Sequence, residues 1–365
     1  MEEEKKMKKI EKVYGVIMAG GGGTRFWPLS RQNEPKQLLN LSGKDLMINE
    51  TIDRISAVIP RKDIFIVTNV SQTEKMKEAV SGRIEDSHIL SEPSARNTAA
   101  CIGYAAMEII KKYGDGVMCI FPADHFIKNN IKFAKTLEEA ILVAADSDEL
   151  ITIGITPTFP STGYGYIRYD RASDALAKRV LEFKEKPDIN TAKAYIENGE
   201  YVWNSGMFVW KASTILKNFK VYLPDIYEML NSIGEKMSTD EESEALQSIY
   251  PAIRSISIDY GIMEKSENVL VIPGDFGWND VGSYDSLDVL HEKDKYGNII
   301  VGDFAGIDTK DSIIYSKEKL VATIGVDNII IVETPDTLLV CDRSRAQDIK
   351  EMVDYLKTTG KEKYL

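Results

Sequence analysis

Short apolar runs alternate with longer amphipathic segments along the first 160 residues of the chain. The apolar runs have the length and β-branched content of buried strands, and the segments between them have helical spacing. The pattern predicts strands at 13–19, 64–68, 87–90, 117–121 and 150–156, and helices at 46–58, 71–80, 97–112 and 131–145. This alternation is typical of a doubly wound α/β sheet, whose ligands lie at the carboxyl ends of the strands.

The pattern changes twice after residue 160. Segments 162–170 and 178–187 are richer in aromatic and charged residues and predict antiparallel strands. The apolar segment 203–210 again predicts a core strand. From 296 to 340, β-branched runs separated by turn residues predict a small β domain or a few coils of a β-solenoid, followed by a helix at 344–357. We therefore expect a frayed tail at 1–12, a large α/β domain at 13–292 and a C-terminal β domain at 293–365.

Composition narrows the class of protein. A net charge of -12 at pH 7 argues against a general nucleic-acid binder, which would present a basic face. The three cysteines form no C-x-x-C and the three histidines no cluster, so neither a zinc site nor a disulfide framework is indicated. Because no stretch approaches eighteen apolar residues and the first twelve contain no apolar signal core, we expect a cytoplasmic protein without a membrane span.

Four consecutive glycines, Gly20 to Gly23, directly follow the first predicted strand in "GVIMAGGGGTRFWPLSRQNEPKQLL". Glycines at a strand end allow backbone N–H groups to converge on an anion, and Arg25 and Lys36 add positive charge nearby. Neither familiar phosphate motif matches, since Thr24-Arg25 replaces the Lys-Ser or Lys-Thr of a P-loop and the third glycine of the dinucleotide fingerprint is missing. The segment predicts a phosphate loop of a third kind, with a flexible turn as the alternative.

Charged residues follow several of the predicted strands. Asp124 comes just after the strand 117–121, at the expected ligand edge, and Asp280 lies in a glycine- and tryptophan-rich loop. Either aspartate could merely cap a helix, but a magnesium ion on nucleotide phosphates takes only one or two protein carboxylates. Glu185 and Lys186 can serve one site only if the chain bends near Pro187, and are otherwise a solvated pair.

The glycine-rich segment resembles the G-G-x-G-T-R-[LF]-x-P-L-[ST]…P-K loop of the sugar-1-phosphate nucleotidyltransferases. Further segments resemble the mannose-1-phosphate guanylyltransferase branch of that family, from about Tyr14 to Gln347: "SEPSARNTAACIGYAA", "FPADHFI", "TGYGYI", "FKEKP", "WNSGMFVW", "SIDYGIMEK" and "WNDVGSYDSL". At Gly23 and in "RQNEPK", the sequence differs from the residues that are commoner in the motif of this family. The resemblance implies a doubly wound mixed sheet of the Rossmann-like, glycosyltransferase-A-like kind with a partial left-handed β-helix behind it.

The resemblance also implies a reaction, in which GTP and mannose 1-phosphate give GDP-mannose and diphosphate with Mg²⁺ as cofactor. The implied catalytic residues are Arg25, Lys36, Asp124, Lys186 and Asp280, of which Asp124 and Asp280 bind the metal. Arg25 is expected on the β- and γ-phosphates, Lys36 at the α-phosphate and Lys186 on the sugar phosphate. The implied nucleotide-binding residues are Gly20, Gly21, Gly22, Gly23, Thr24, Arg25, Lys36, Glu92, Asn97 and Thr98. The implied sugar-phosphate-binding residues are Gly163, Glu185, Lys186, Asn204 and Asp280.

Two other functions stay open on the sequence. One is a nucleotidyltransferase for another sugar 1-phosphate, such as a glucose type using UTP or dTTP. The other is a catalytically silent regulatory subunit, which should lack the loop cations or the metal aspartates, whereas Arg25, Lys36, Asp124 and Asp280 are all present. The resemblance further implies a homodimer and a form without the phosphomannose isomerase domain of many relatives. It does not say which residue selects guanine.

Overall fold

The computed structural model describes residues 12–365, so the predicted tail at 1–12 lies outside the described residues except for Lys12. The first part of the chain forms eleven strands within that range. They are β1 (Val13–Met18), β2 (Ile64–Asn69), β3 (Ile89–Glu92), β4 (Val117–Pro122), β5 (Phe126–Ile127), β6 (Leu150–Ile155), β7 (Tyr166–Tyr169), β8 (Lys178–Lys184), β9 (Tyr201–Lys211), β10 (Val269–Gly274) and β11 (Trp278–Asn279).

In the described chain, eight helices lie against the two hydrophobic clusters on the faces of the resulting sheet, and a ninth packs in a separate cluster. They are α1 (Met47–Ile55), α2 (Thr73–Ala79), α3 (Asn97–Glu108), α4 (Asn130–Asp146), α5 (Ile189–Asn198), α6 (Ala212–Tyr222), α7 (Pro224–Lys236), α8 (Glu242–Ile249) and, near the C-terminus, α9 (Ile349–Thr358). The predicted helix 97–112 is α-helical only to Glu108 and ends in a π-helical turn, Ile109–Tyr113. In the described part of the chain, no helix has the length and apolar content to cross a membrane.

Nine strands form one mixed sheet in the order β3-β2-β1-β4-β9-β6-β10-β8-β7. Strands β1 to β4 are mutually parallel, and their fully buried residues explain the continuous apolar runs of the sequence. Met18 at the end of β1 pairs in register with Pro122 at the end of β4. The glycine-rich loop and Asp124 therefore emerge side by side at one edge of the sheet.

The other half of the sheet closes on itself. Strand β9 pairs with both β6 and β7, and the pairings β6–β10, β10–β8 and β8–β7 complete a ring of five strands. Ile167, Val202 and Val271 form a small core of their own there. A Cβ at Gly154 would lie 2.5 Å from Val202 Cγ2 and 2.8 Å from Val271 Cγ2, so glycine leaves the room that these side chains occupy.

The C-terminal segment confirms the expected β-solenoid character. Its strands are β12 (Ile299–Val301), β13 (Phe304–Ile307), β14 (Ile313–Tyr315), β15 (Val321–Ile324), β16 (Ile329–Glu333) and β17 (Leu338–Asp342). Strands β12, β14 and β16 stack in parallel, β13 stacks in parallel on β15, and β17 adds antiparallel to β16. The predicted helix begins at Ile349 rather than at 344, because residues 343–348 form 3₁₀ turns with a kink at Arg345.

The C-terminal segment shares a hydrophobic core with the glycine-rich loop. Phe26 and Trp27, just after the glycines, pack in one cluster with Ile313, Ile330 and Val353. The Trp27 indole Nε1 also donates a hydrogen bond to the backbone oxygen of Tyr364 at 2.7 Å. The segment just after the glycines is therefore packed against residues that come more than 280 positions later in the chain.

Candidate active site

The four glycines of the loop differ in the space around them. A Cβ at Gly23, whose φ is +57°, would lie 2.3 Å from Lys36 Cβ, and a Cβ at Gly20 would lie 3.0 Å from Glu92 Oε2. A Cβ at Gly21 would meet no non-adjacent atom of residues 12–365 within 4 Å, and one at Gly22 would meet only Thr24 Cγ2, at 3.9 Å. A side chain at Gly23 would therefore clash with the protein and one at Gly20 would press against the Glu92 carboxylate, whereas Gly21 and Gly22 leave open space beside their backbone.

Two clefts meet in front of this loop. The first cleft, of about 410 Å³, is lined by residues that include Gly20, Gly21, Glu92, Asn97, Thr98, Asp124, His125, Gly163, Tyr164, Gly165, Glu185, Asn204, Asp259 and Asp280. The second cleft, of about 360 Å³, is lined by Gly23, Thr24, Arg25, Lys36, Asp124, His125, Asp280, Gly282 and Lys350. Asp124, His125 and Asp280 line both clefts and mark their junction.

A small antiparallel pairing brings the two aspartates to the junction. Strand β5 follows Asp124, strand β11 precedes Asp280, and the two strands pair as Phe126↔Asn279 and Ile127↔Trp278. Asp124 and Asp280 are far apart in the sequence, but they therefore lie on neighbouring segments of the folded chain.

Lys36 lies between these aspartates and is almost fully buried, with 4% exposure. Its ammonium is 2.9 Å from Asp124 Oδ2 and donates to the backbone oxygen of Asp280 at 2.7 Å. Burial raises the pKa of Asp124, but the neighbouring Lys36 and His125 and the hydrogen bonds outweigh it, so the net pKa is lowered. Asp124 is therefore a carboxylate at neutral pH.

The second aspartate and the histidine are held by aromatic side chains. The Tyr164 hydroxyl donates to Asp280 Oδ1 at 2.7 Å, and burial, followed by the charge of Asp280, raises the pKa of Tyr164. The Trp278 indole donates to His125 Nδ1 at 3.0 Å, which leaves the histidine proton on Nε2. Burial lowers the pKa of His125 to about 4, so this side chain is neutral at physiological pH.

The donor chemistry at the junction fits a hard divalent cation. Among residues 12–365 no group of three or more histidine, cysteine, aspartate or glutamate side chains could form a complete protein metal cage. Magnesium on a nucleotide, however, uses one or two carboxylates and takes its other oxygens from phosphates and water. Asp124 and Asp280 supply two carboxylates and Lys36 only one positive charge, so the junction keeps a net negative charge that suits such an ion.

One end of the first cleft lies at β3, an edge strand of the sheet, and carries a buried carboxylate that has no cation partner among residues 12–365. Glu92 is 4% exposed and accepts a hydrogen bond from the Tyr250 hydroxyl. Burial raises the pKa of Glu92 to about 7, although that hydrogen bond opposes the shift. Asn97 and Thr98 begin α3 beside it, and Thr98 Oγ1 accepts from the Ile258 N–H at 2.9 Å. The predicted residues Glu92, Asn97 and Thr98 thus lie together.

The other end of the first cleft carries a carboxylate paired with a cation. Glu185 is nearly buried, and its Oε1 lies 2.8 Å from Lys186 Nζ. Its Oε2 has no hydrogen-bond partner among the described residues, and a Cβ at Gly165 would lie 2.4 Å from that oxygen. The Asn204 amide donates to Asp259 Oδ1 at 2.7 Å, and burial, followed by the charge of Glu185, raises the pKa of Asp259 to about 6.

Lys186 occupies a different place from the other predicted sugar-phosphate residues. Its φ of +45° gives the bend that the sequence required for Glu185 and Lys186 to act together. Its side chain is 56% exposed and does not line the first cleft, whereas Gly163, Glu185 and Asn204 do.

Several site residues were not assigned a role from the sequence. Tyr164, His125 and Asp259 lie within "TGYGYI", "FPADHFI" and "SIDYGIMEK", so the signal that could have identified them was already present. Lys350 had no such signal, because it is one of two lysines on a helix with an exposed polar face.

Comparisons with known proteins agree with this architecture. Residues 14–296 match the family described as nucleotidyl transferase, and residues 302–356 match the MannoseP isomerase/GMP-like beta-helix domain. The chain is 38% identical over 350 residues to the xanthan biosynthesis protein XanB of Xanthomonas campestris pv. campestris (strain B100), covering 96% of this chain and 74% of that protein. It is 37% identical over 358 residues to a mannose-1-phosphate guanylyltransferase of Salmonella muenchen, covering 97% and 76%. A crystal structure from Thermus thermophilus, described as a mannose-1-phosphate geranyltransferase, has a TM-score of 0.86 and 31% identity, covering 95% of this chain and 99% of that one.

Proposed function

The chain belongs to the nucleotidyl transferase family, and we propose on that premise that it is a mannose-1-phosphate guanylyltransferase. In this reaction a phosphate oxygen of mannose 1-phosphate attacks the α-phosphorus of GTP and forms a new P–O bond. The bond from the α-phosphorus to the bridging oxygen breaks, and diphosphate leaves with that electron pair. The products are GDP-mannose and diphosphate.

The position of Lys36 is the observation that carries this proposal. Its ammonium lies at the junction of the two clefts, between Asp124 and the backbone of Asp280. The attacking phosphate is already an anion, so the reaction needs no general base but must overcome repulsion between two anions. A buried ammonium at the point where the nucleotide and sugar phosphates meet stabilises the charge that develops on the α-phosphate.

Asp124 and Asp280 would hold the divalent cation that nucleotidyltransferases generally use, and we propose Mg²⁺. When bound, such an ion neutralises phosphate charge and orients the phosphates. Tyr164 fixes the Asp280 carboxylate, and Lys36 keeps Asp124 ionised. Arg25 lines the second cleft and would contact the β- and γ-phosphates, with which its planar guanidinium can make two parallel contacts.

We assign guanine to the end of the first cleft that contains Glu92. Guanine presents two adjacent donors, N1–H and the 2-amino group, and an ionised carboxylate accepts from both. Adenine has no donor at either position. Because no cation of the described chain pairs with Glu92, donors from the base would supply the stabilisation that its negative charge lacks.

We assign mannose to the opposite end. The free Glu185 Oε2 is a buried acceptor that a sugar hydroxyl would satisfy. Asn204 and the backbone at Gly163 line the same end, and Lys186 would reach the sugar phosphate from the rim.

Three broader proposals accompany the reaction. The domain division at 13–292 and 293–365 follows the change from mixed sheet to stacked β coils. A homodimer through the C-terminal domain is supported by the exposed apolar side chains there, which include Leu338, Val340, Met352 and Tyr355. Light scattering at micromolar concentration tests it. A cytoplasmic location is supported by the free thiols of the described chain.

Diphosphate release measured over a grid of nucleotides and sugar phosphates tests the function. We expect GTP with mannose 1-phosphate to be the best pair, and Mg²⁺ to be required. Asp240→Asn, a change at an exposed position far from the clefts, is the control and should behave as the wild type. A preference for UTP or dTTP with glucose 1-phosphate would replace this function by the other nucleotidyltransferase, and no turnover with any pair would favour a silent subunit.

A further inference from the structure

Lys350 is the one residue of the second cleft that comes from the C-terminal domain, as far as residues 12–365 are concerned. It is the second residue of α9, and it shares the cleft with the glycine-rich loop, Arg25 and Lys36. The cleft that receives the loop backbone is therefore built by both domains.

Packing fixes the position of this part of the helix. Ile349, one residue before Lys350, and Val353, three residues after it, are buried in the cluster that contains Phe26 and Trp27. The Gln347 side chain donates to Ser283 Oγ at 2.6 Å, just beyond Asp280 and Gly282. The N-terminal end of α9 thus contacts both the segment that follows the glycine-rich loop and the loop that carries Asp280.

The charges of the second cleft are unevenly paired. Lys36 is neutralised by Asp124. Within the described chain, by contrast, neither Arg25 nor Lys350 has an ion pair or side-chain hydrogen bond, although the protein carries a net charge of -12. Two unpaired cations that share a cleft with the backbone of Gly23 and Thr24 make a place for a multiply charged anion.

We propose that Lys350 binds the diphosphate group, both as the β- and γ-phosphates of GTP and as the leaving diphosphate. This inference rests on the proposed function, which identifies the anion. Arg25 and Lys350 would contact the diphosphate from opposite domains, so the C-terminal domain supplies part of the nucleotide site. GMP and the nucleotide sugar lack the terminal phosphates and do not use this contact.

The reverse reaction, in which diphosphate cleaves GDP-mannose, separates this contact from the others. For Lys350→Ala we expect the KM for diphosphate to rise about tenfold, the size of one lost charged contact, with the KM for GDP-mannose unchanged. Lys350→Arg should restore most of the diphosphate affinity. Lys357→Ala, on the same helix and paired with Asp354 on the surface, is the matched control and should match the wild type.

An unchanged KM for diphosphate in folded Lys350→Ala, or an equal loss for GDP-mannose, would overturn the assignment. If alanine at this position prevents folding, Lys350→Gln keeps a long polar side chain and removes the positive charge. Calorimetric binding of diphosphate with Mg²⁺ to the wild type and the variant decides the role of Lys350 independently of turnover. A wild type that makes no GDP-mannose would instead contradict the proposed function.

Discussion

The two ends of the first cleft each present a buried glutamate, and the two glutamates differ in their partners. Glu185 lies beside the Lys186 ammonium, and one of its oxygens is free. Among residues 12–365, Glu92 has only the Tyr250 hydroxyl as a hydrogen-bond partner, and burial raises the pKa of Glu92 to about 7. In the proposed function, Glu185 would accept a sugar hydroxyl with its free oxygen, whereas Glu92 would depend on the ligand for donors that favour its charge. The comparison predicts that each end affects one substrate and the junction affects both.

The largest effect is expected at the junction. Asp124→Asn and Asp280→Asn should each lower turnover by about two to three orders of magnitude, the scale for a lost transition-state electrostatic contact. The double variant should lose much less turnover than the two single losses combined, because the effects of groups that act as a unit are not additive. Turnover against Mg²⁺ concentration checks this for all three variants. Full additivity with an unchanged Mg²⁺ dependence would mean that the aspartates do not share a cation.

Glu185→Gln should raise the KM for mannose 1-phosphate about ten- to a hundredfold, the range for a hydrogen bond to a charged group. The KM for GTP should stay near the wild-type value, because Glu92 and Glu185 lie at opposite ends of the first cleft. Steady-state kinetics with each substrate varied in turn provides the measurement. A loss confined to GTP would reverse the assignment of the two ends.

Lys186→Ala should weaken the use of mannose 1-phosphate about tenfold and leave GTP binding unchanged. The effect is expected near the lower limit for a charged contact because the lysine is 56% exposed and water screens its charge. The same kinetics, compared with Lys184→Ala on the neighbouring strand position, checks it. Abolished GTP binding in Lys186→Ala would show that the residue serves the nucleotide instead.

Glu92 should make GTP binding depend on pH. A carboxylate whose pKa is raised to about 7 is largely protonated at pH 6 and ionised at pH 8, so GTP affinity should rise about tenfold across that interval. Glu92→Gln should bind GTP weakly and without this dependence. Calorimetric titration of GTP at pH 6, 7 and 8 gives the comparison, with mannose 1-phosphate as the control ligand. An identical pH profile in both proteins would remove Glu92 from base recognition.

The smallest effect concerns stability without ligand. The folded protein retains the Glu92 proton up to a pKa of about 7, above the ordinary value of 4.5, so this group destabilises the fold as pH rises from 4.5 through 7. Between pH 5 and pH 8, the free energy of unfolding of Glu92→Gln should therefore increase by about 1–3 kcal/mol relative to that of the wild type. Denaturant unfolding at the two pH values measures the difference. A gap that narrows with increasing pH would contradict the raised pKa.

The parallel half of the sheet could be predicted from the sequence because buried parallel strands are continuous apolar runs, as in β1, β2 and β4. The five-stranded ring could not be predicted from the sequence, because it depends on which strands pair with one another. Strand β10 and the helices α5 to α8 were not among the predicted elements. At the site, motif resemblance located both aspartates, but only the β5–β11 pairing brings them together. Lys350 was unpredictable for a related reason, since its role depends on how two domains pack rather than on its neighbours in the chain.

The shared core behind the glycine-rich loop also has a consequence for synthesis on the ribosome. Trp27 hydrogen-bonds to a residue 337 positions later, and Phe26 packs on strands that are translated almost as late. At about 5–20 residues per second, the loop waits roughly 20 to 70 seconds for the segment that supports it. Nascent chains therefore carry an uncovered Phe26-Trp27 surface through most of translation, and the glycine-rich loop gains its supporting contacts only as the late segment emerges.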